Sequence, residues 1–394
     1  MIDTANKLSK AGDIEGLLVW LKEGNDPNQY DKDGWTPLLW ASVRGHSDVV
    51  KMLLKNGADV DIAHQKSKAL AVHFAGQSGS ARTAGVLLDH KPDQLNAVFD
   101  VNGHTILMNA VFYGKLELAE FLLKRGADTS IPTARGLGAM EMASQFQNQK
   151  MMDLVRPYDT PAEAKAAAYK TYLARIAPTI PESEKAGQDL ADELIRVIEG
   201  GLKKVAADPG AAESTLAAVK DLIEVRKVNV NRLGGPLQQP PLIVVATGNN
   251  GFPPNEDVAR LRNQLAKYLL EKGADPMLHE KHPMDVQTII RAAVFNHLEI
   301  LKMCAEHMTP ERLADGINEI PVVNGLTAMH DTVLRSTTAD PEHLEGYLDQ
   351  IRFLIKNGGR VDMEEYSGLT QRNIAENAKN AESRRRILEV MDNS

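Results

Sequence analysis

Residues 31–61, DKDGWTPLLWASVRGHSDVVKMLLKNGADVD, decide the fold. Asp33-Gly34 predicts a tight turn, and Thr36-Pro37 opens a helix with Thr as cap and Pro at the first helical position. Leu38, Leu39 and Ala41 face inward, and Gly45 closes this short helix. Ser47 is expected to cap a second helix in which Val49, Val50, Leu53 and Leu54 keep a helical spacing. Gly57 ends it, and the chain turns outward through Ala58-Asp59-Val60-Asp61. The stretch reads as one supersecondary unit: turn, helix, helix, turn.

The unit recurs. Thr105 begins TILMNAVFYGKLELAEFLLKRGADTSI, and Thr327 begins TAMHDTVLRS, which leads on to IRFLIKNGGRVDM. The pattern D-x-x-G-x-T-P-L-x-x-A-x-x-x-G-H, followed by V-x-x-L-L-x-x-G-A-D-V, resembles the ankyrin repeat. The first-helix anchors Thr36, Leu70, Thr105 and Gly138 lie 34, 35 and 33 residues apart, which is the period of that family. The resemblance implies an all-α solenoid of stacked helix pairs with short β-hairpin fingers, whose main service is as a binding surface.

Taken in order, residues 3–30 are expected to form an opening repeat, and a degenerate third repeat spans 67–96. A fourth runs from 103 to 131, and a fifth has a shortened second helix. Residues 1–158 form a first block and 159–187 a helical junction, either strut or ordinary linker. Residues 188–394 form a second, looser block, because LADELIRVIEGG and AAVKDLIEVRKVNVN restart the opening pattern. Inserts fall between first and second helices in this block, at 249–257 and in TTADPEHLEG. The stretch TPERLADGINEIPVV, 309–323, reads as irregular. The inserts either mark one functional rim or are neutral lengthening.

With 394 residues, 43% of them hydrophobic, the chain can bury a large core, spread along a solenoid rather than gathered at one centre. A net charge of −8 and a pI near 5.8 argue against a nucleic-acid surface. The basic run Arg384-Arg385-Arg386 sits beside Glu382 and Glu389 and reads as a solvated capping face. Cys304 is the only cysteine, so no intrachain disulfide can form. No signal peptide or 18-residue apolar run is visible, and the expected compartment is cytoplasmic, off the membrane. No nucleotide-binding loop, HExxH, CxxC or GxSxG is present, and no cofactor is expected. His279-x-x-His282 offers two metal ligands with no obvious third, so no metal is expected either.

The candidate site is a column. In the family that the pattern resembles, a histidine in the first helix ties neighbouring hairpins together, and His73 and His330 hold its place. The residue after it faces the groove between helices and fingers: Trp40, Phe74, Asn109, Met142, Val244, Arg291, Asp331 and Ile374. Tyr113 lies one helical turn beyond Asn109. Arg291 and Asp331 are close enough on stacked units to form a salt bridge. An acid–base pair of His330 with Asp331 is disfavoured, because consecutive helical residues diverge by about 100°. Trp35 occupies a finger position that normally faces solvent. Flanked by Lys32, Asp33 and Arg44, it reads either as a protein-binding hot spot or as packing on the neighbouring finger.

The expected function, as the resemblance implies, is recognition of a protein segment along the concave face, by Lys32, Asp33, Trp35, Trp40, Arg44, Asn109, Tyr113, Arg291 and Asp331. A competing expectation is an enzyme or small-molecule site with Asn109, Tyr113, His297 and Arg291 as its polar groups. A third is a homo-oligomer.

Overall fold

The computed structural model describes residues 2–98, 103–133, 136–146, 148–176, 180–247, 255–281, 285–321, 325–339, 341–366, 368–378 and 380–393. Among them lie twenty-two α-helices and two isolated β-bridges, Gly234 with Gln239 and Glu364 with Thr370. The architecture is the all-α helix-pair solenoid that the repeat pattern predicts. The chain divides into two compact units. One comprises Met1–Ser144, Asn148–Thr171 and Tyr366–Gly368; the other comprises Gln145–Gln147, Tyr172–Glu365 and Leu369–Ser394.

The helix starts follow from local chemistry. Thr36, Thr105, Thr327 and Thr370 each stand just outside a first helix and accept a hydrogen bond from the third residue on, at 3.2–3.4 Å. Each thereby satisfies one backbone N–H that has no partner within the helix. Pro37 is the first residue of its helix, Pro37–Val43. The second helix of this pair, Ser47–Lys55, differs from expectation: it is entered through His46, and Ser47 is already helical. His46 turns its ring away and hydrogen-bonds the Lys10 carbonyl of the preceding repeat at 3.0 Å. Gly45 and Gly57 both have left-handed φ, +73° and +87°, which only glycine adopts at little cost.

In the first unit the helix pairs run Ile2–Ala11 with Ile14–Lys22, Pro37–Val43 with Ser47–Lys55, Ala71–Ser78 with Ala81–His90, Ile106–Phe112 with Leu116–Lys124, and Ala139–Gln145 with Gln149–Val155. The helix Ala162–Ile176 follows. Its Lys165 ammonium is buried and bonds Glu141 at 2.6 Å and Asp159 at 2.8 Å. Two carboxylates around one buried ammonium tie the start of this helix to the fifth pair.

In the second unit Lys185–Val205 pairs with Ala211–Lys220, Pro241–Ala246 with Glu256–Glu271, Thr288–Val294 with Leu298–Glu306, Ala328–Thr338 with Pro341–Lys356, and Gln371–Glu376 with Ala381–Asp392. The stretch 309–323, expected to be irregular, is helical in its first part. Pro310–Asn318 is a helix capped by Thr309, the same Thr-Pro device as at Thr36-Pro37. The insert TTADPEHLEG lengthens the helices on either side of it. Most of the 249–257 insert lies outside the described residues.

Successive repeats are pinned together along one edge by asparagines. Asn28 donates to the Gly57 carbonyl at 2.9 Å and accepts from the Asp59 N–H at 2.8 Å. Asn231 does the same with Gly273 and Asp275, at 2.9 and 2.8 Å, and Asn318 with Gly358 and Arg360, at 2.8 and 2.9 Å. Asn96 accepts from Asp128 at 2.9 Å. Each amide satisfies groups left over where the next repeat's second helix ends. The same rung recurs in both units.

The two histidines perform the tying duty that the resemblance implies. His73 accepts the Leu70 N–H at Nδ1, 3.0 Å, and its Nε2 reaches the Ala97 carbonyl at 2.9 Å. His330 does the same with the Thr327 N–H, 3.2 Å, and the Met363 carbonyl, 2.9 Å. Accepting at one nitrogen and donating at the other requires the neutral ring. Burial pushes both rings down to about 4 from their ordinary 6.5. The unfolded chain therefore takes up these protons first as pH falls. Their stabilisation is complete above pH 6.5 and is lost progressively down through pH 4, to a limit on the order of 3 kcal/mol per ring. Denaturant titrations at pH 7.5 and 4.5 should show this loss, and it should shrink in a His73→Gln/His330→Gln variant. An unchanged loss in that variant would assign acid sensitivity to other groups.

Candidate functional site

Three of the described finger turns are built by one acceptor placed seven residues after the glycine that ends a repeat. Asp31 follows Gly24, and its Oδ1 accepts the N–H groups of Asp33 and Trp35, both at 2.9 Å. Thr133 follows Gly126 and accepts from Leu137 at 3.2 Å. Glu365 follows Gly358 and accepts from Leu369, also at 3.2 Å. A side-chain acceptor two to four residues ahead of an N–H is the means by which a short polar side chain shapes a turn. His64, at the same place after Gly57, bonds Ser67 Oγ at 2.8 Å through Nδ1 and the Asp33 carbonyl at 3.1 Å through Nε2. With Gln65 N–H donating to the Gly34 carbonyl at 3.1 Å, the first two fingers are joined.

Trp35 is the element whose placement differs most from an exposed hot spot. It is only 2% exposed. Its ring stacks on Trp40 at 4.1 Å and lies 4.6 Å from both His64 and Phe74. Tyr366, also of this unit, meets it edge-on at 4.8 Å. Five rings at these separations make a closed aromatic cluster, so Trp35 packs on two first helices and on neighbouring fingers. The Lys10 ammonium lies 3.5 Å from the Trp40 ring centre. Asn109 is buried as well, donating to the His73 carbonyl at 3.0 Å and pairing with His104 Nδ1 at 2.9 Å. Tyr113 is buried against Phe112 at 5.0 Å. Lys32 and Asp33 alone of this unit's candidates are exposed, with Arg44 half-buried.

The second unit carries charge where the first carries rings. Arg291 and Glu280 form a buried ion pair, and Gln239 also donates to Glu280. The direct Arg291–Asp331 bridge expected from adjacent repeats is not what forms. Asp331 pairs with Arg335, one turn along its own helix, at 3.6 Å. Arg291 acts on Asp331 as a neighbouring charge while its guanidinium serves Glu280. Asp331 is fully buried, and among the described residues neither carboxylate oxygen has a hydrogen-bond partner. Burial raises its pKa to about 6, against the pull of Arg335 and then Arg291. His330, its neighbour in sequence, points away to the backbone of Thr327 and Met363.

The column therefore faces a filled interior. Trp40, Phe74, Asn109 and Met142 in the first unit, and Val244, Arg291, Asp331 and Ile374 in the second, are all at most 9% exposed. Of the polar groups suggested for catalysis, Asn109 and Tyr113 belong to the first unit and Arg291 and His297 to the second. His297 is buried and stacks on Phe295 at 6.3 Å. The participants that escape the column reading are Lys10, His64, Tyr366, Glu280 and Arg335. Arg335 was legible as the i+4 partner of Asp331, and Glu280 as the seventh residue after Gly273. Lys10 had no signal.

Among the described residues no three His, Cys, Asp or Glu side chains gather to hold a metal. His279 pairs with Glu319 and Asp285 and is pushed up to about 9, chiefly by its bond to Glu319. His282 lies outside the described residues. Cys304 is buried, and its thiol is pushed up to about 12 by desolvation. No described helix is long and apolar enough to cross a membrane.

The family model that matches is the one for ankyrin repeats, in three copies, over residues 7–95 and 62–133. The chain is similar to the transient receptor potential channel pyrexia of Drosophila melanogaster, 33% identical over 31% of this chain and 12% of that protein. It is similar to ankyrin repeat and SAM domain-containing protein 6 of Mus musculus, 31% identical over 34% of this chain and 11% of that protein. Ankyrin repeat family A protein 2, also of Mus musculus, is 34% identical over 19% of this chain and 24% of its own length. The chain thus spans no more than 24% of the length of these three relatives.

Proposed function

We propose, on the premise that this chain is an ankyrin-repeat protein, that it recognises a segment of another protein along the exposed edge of its fingers in the first unit. The observation that carries the reading is a stiff frame beneath an exposed charged edge. Asp31, His64 and the Gly34–Gln65 backbone bond fix the first two fingers. Tyr30 adds a bond from its hydroxyl to the Ala63 carbonyl at 2.7 Å. Upon that frame Lys32, Asp33, Lys66 and Lys68 are exposed, while Arg44, half-buried, lies with its guanidinium beside Gly368. Little of the receptor has to be ordered when a partner binds, so less affinity is lost. The mixed charges set orientation and partner choice. Trp35, Trp40, Asn109 and Tyr113 support the frame from beneath, and Arg291 and Asp331 serve the interior of the second unit.

The test places a photo-crosslinking p-benzoylphenylalanine at position 32, with position 124 on an outer helix as control. Irradiation in native lysate should yield a heterologous protein adduct from position 32 and not from position 124. Adducts of equal yield at both positions, or of twice the chain's own mass alone, would overturn the reading.

A further inference from the structure

The buried charges of the second unit have a use that the recognition surface does not absorb. We propose that Asp331 is a proton-operated lock on the helix Ala328–Thr338: its neutral acid seats the helix, and its carboxylate loosens it.

The geometry is the first ground. Asp331 is fully buried and neither oxygen receives a hydrogen bond from the described residues, so its ionised form has exchanged water for charge at a distance. The charges facing it can be named element by element. Its own helix supplies Arg335 at 3.6 Å, beyond hydrogen-bond range, and the neutral His330, which points to backbone. The neighbouring helix Thr288–Val294 supplies Arg291, whose guanidinium is already engaged by Glu280. Pro341–Lys356 brings the buried Tyr347, which Arg335 influences as a nearby charge. Gln371–Glu376 brings the neutral Gln371, which meets His330 at 3.3 Å. From Pro310–Asn318 and Ala381–Asp392, Arg312 and Arg386 pair elsewhere, with Asp275 and Glu345, and Glu311 and Asp315 are exposed.

The linkage sign follows. The folded carboxyl takes its proton near pH 6 and the unfolded one near 3.8. The seating is therefore complete at low pH and weakens as pH rises through 6. That direction opposes His330 on the same helix, so the test compares variants at one pH, where the histidine cancels.

Hydrogen exchange of residues 328–338 is measured in the full chain at pH 5.0 and 7.5, for wild type and Asp331→Asn. The ratio of protection, variant over wild type, should rise on the order of tenfold between the two pH values. A ratio that stays flat or falls with pH would show that Arg291 and Arg335 need the carboxylate's charge, and the proposal fails. Should the variant not fold, the carboxyl carbon resonance of Asp331 in the wild type decides. A midpoint near pH 6 supports the lock, and one near 4 overturns it.

Discussion

Trp35→Ala should destabilise the first unit by about 3–5 kcal/mol, the usual cost of removing a buried aromatic and leaving a cavity. The ring is 2% exposed and touches Trp40 and Phe74 on two successive first helices and His64 on the next finger. Its removal therefore weakens two repeats and the interface between them, and in a stacked array the interface term is shared. Urea unfolding followed by circular dichroism is the measurement, with the transition of the first unit read separately because two units need not unfold together. Val19, 59% exposed on the helix Ile14–Lys22, is the control; Val19→Ala should stay within about 0.5 kcal/mol. A Trp35→Ala cost as small as the control's would return Trp35 to the surface.

The second large effect is in the other unit. Glu280→Ala should cost about 3–5 kcal/mol, because it leaves the Arg291 guanidinium, 4% exposed, buried without its carboxylate. Burying two opposite charges is itself expensive, so removing both need not be. The double variant Glu280→Leu/Arg291→Met should recover most of the loss. Chemical denaturation of the two single variants and the double gives the coupling directly. Losses that simply add would mean that the two residues stabilise the unit through other neighbours.

The repeat was legible because its signals are local. Thr36-Pro37, Gly45 and Gly57 act within one turn of themselves, and each does in the structure what its chemistry dictates. The Thr309-Pro310 start went unread although it uses the same device, because the period had already drifted there. The site was harder to read for a physical reason. Whether Trp35 faces water depends on what three other segments bring to it, His64, Phe74 and Tyr366, none of them local. The partner of Arg291 was misjudged on similar grounds. Adjacent columns suggested Asp331, but Glu280 holds the Arg291 guanidinium and Arg335 pairs with Asp331. Column alignment shows which residues share a place, while the competition among neighbours for one charge is settled only by packing.

The asparagine rungs have a consequence for how the chain avoids tangling with itself. Asn28, Asn231 and Asn318 each grip a glycine carbonyl and an N–H two residues on, with nearly equal distances. Such a grip fixes alignment to the residue, since a slip by one would lose both bonds, but it is blind to identity. A newly made repeat could seat on the wrong neighbour at no loss along that edge, and misassembly is the failure that repeat chains suffer. Discrimination must come from contacts that occur once. Asp61 departs from asparagine at its rung and is held by Lys91 and by Gln94. His46 reaches back to Lys10, and Lys165 gathers Glu141 and Asp159. The irregular side chains are thus the addresses by which otherwise interchangeable repeats find their proper order.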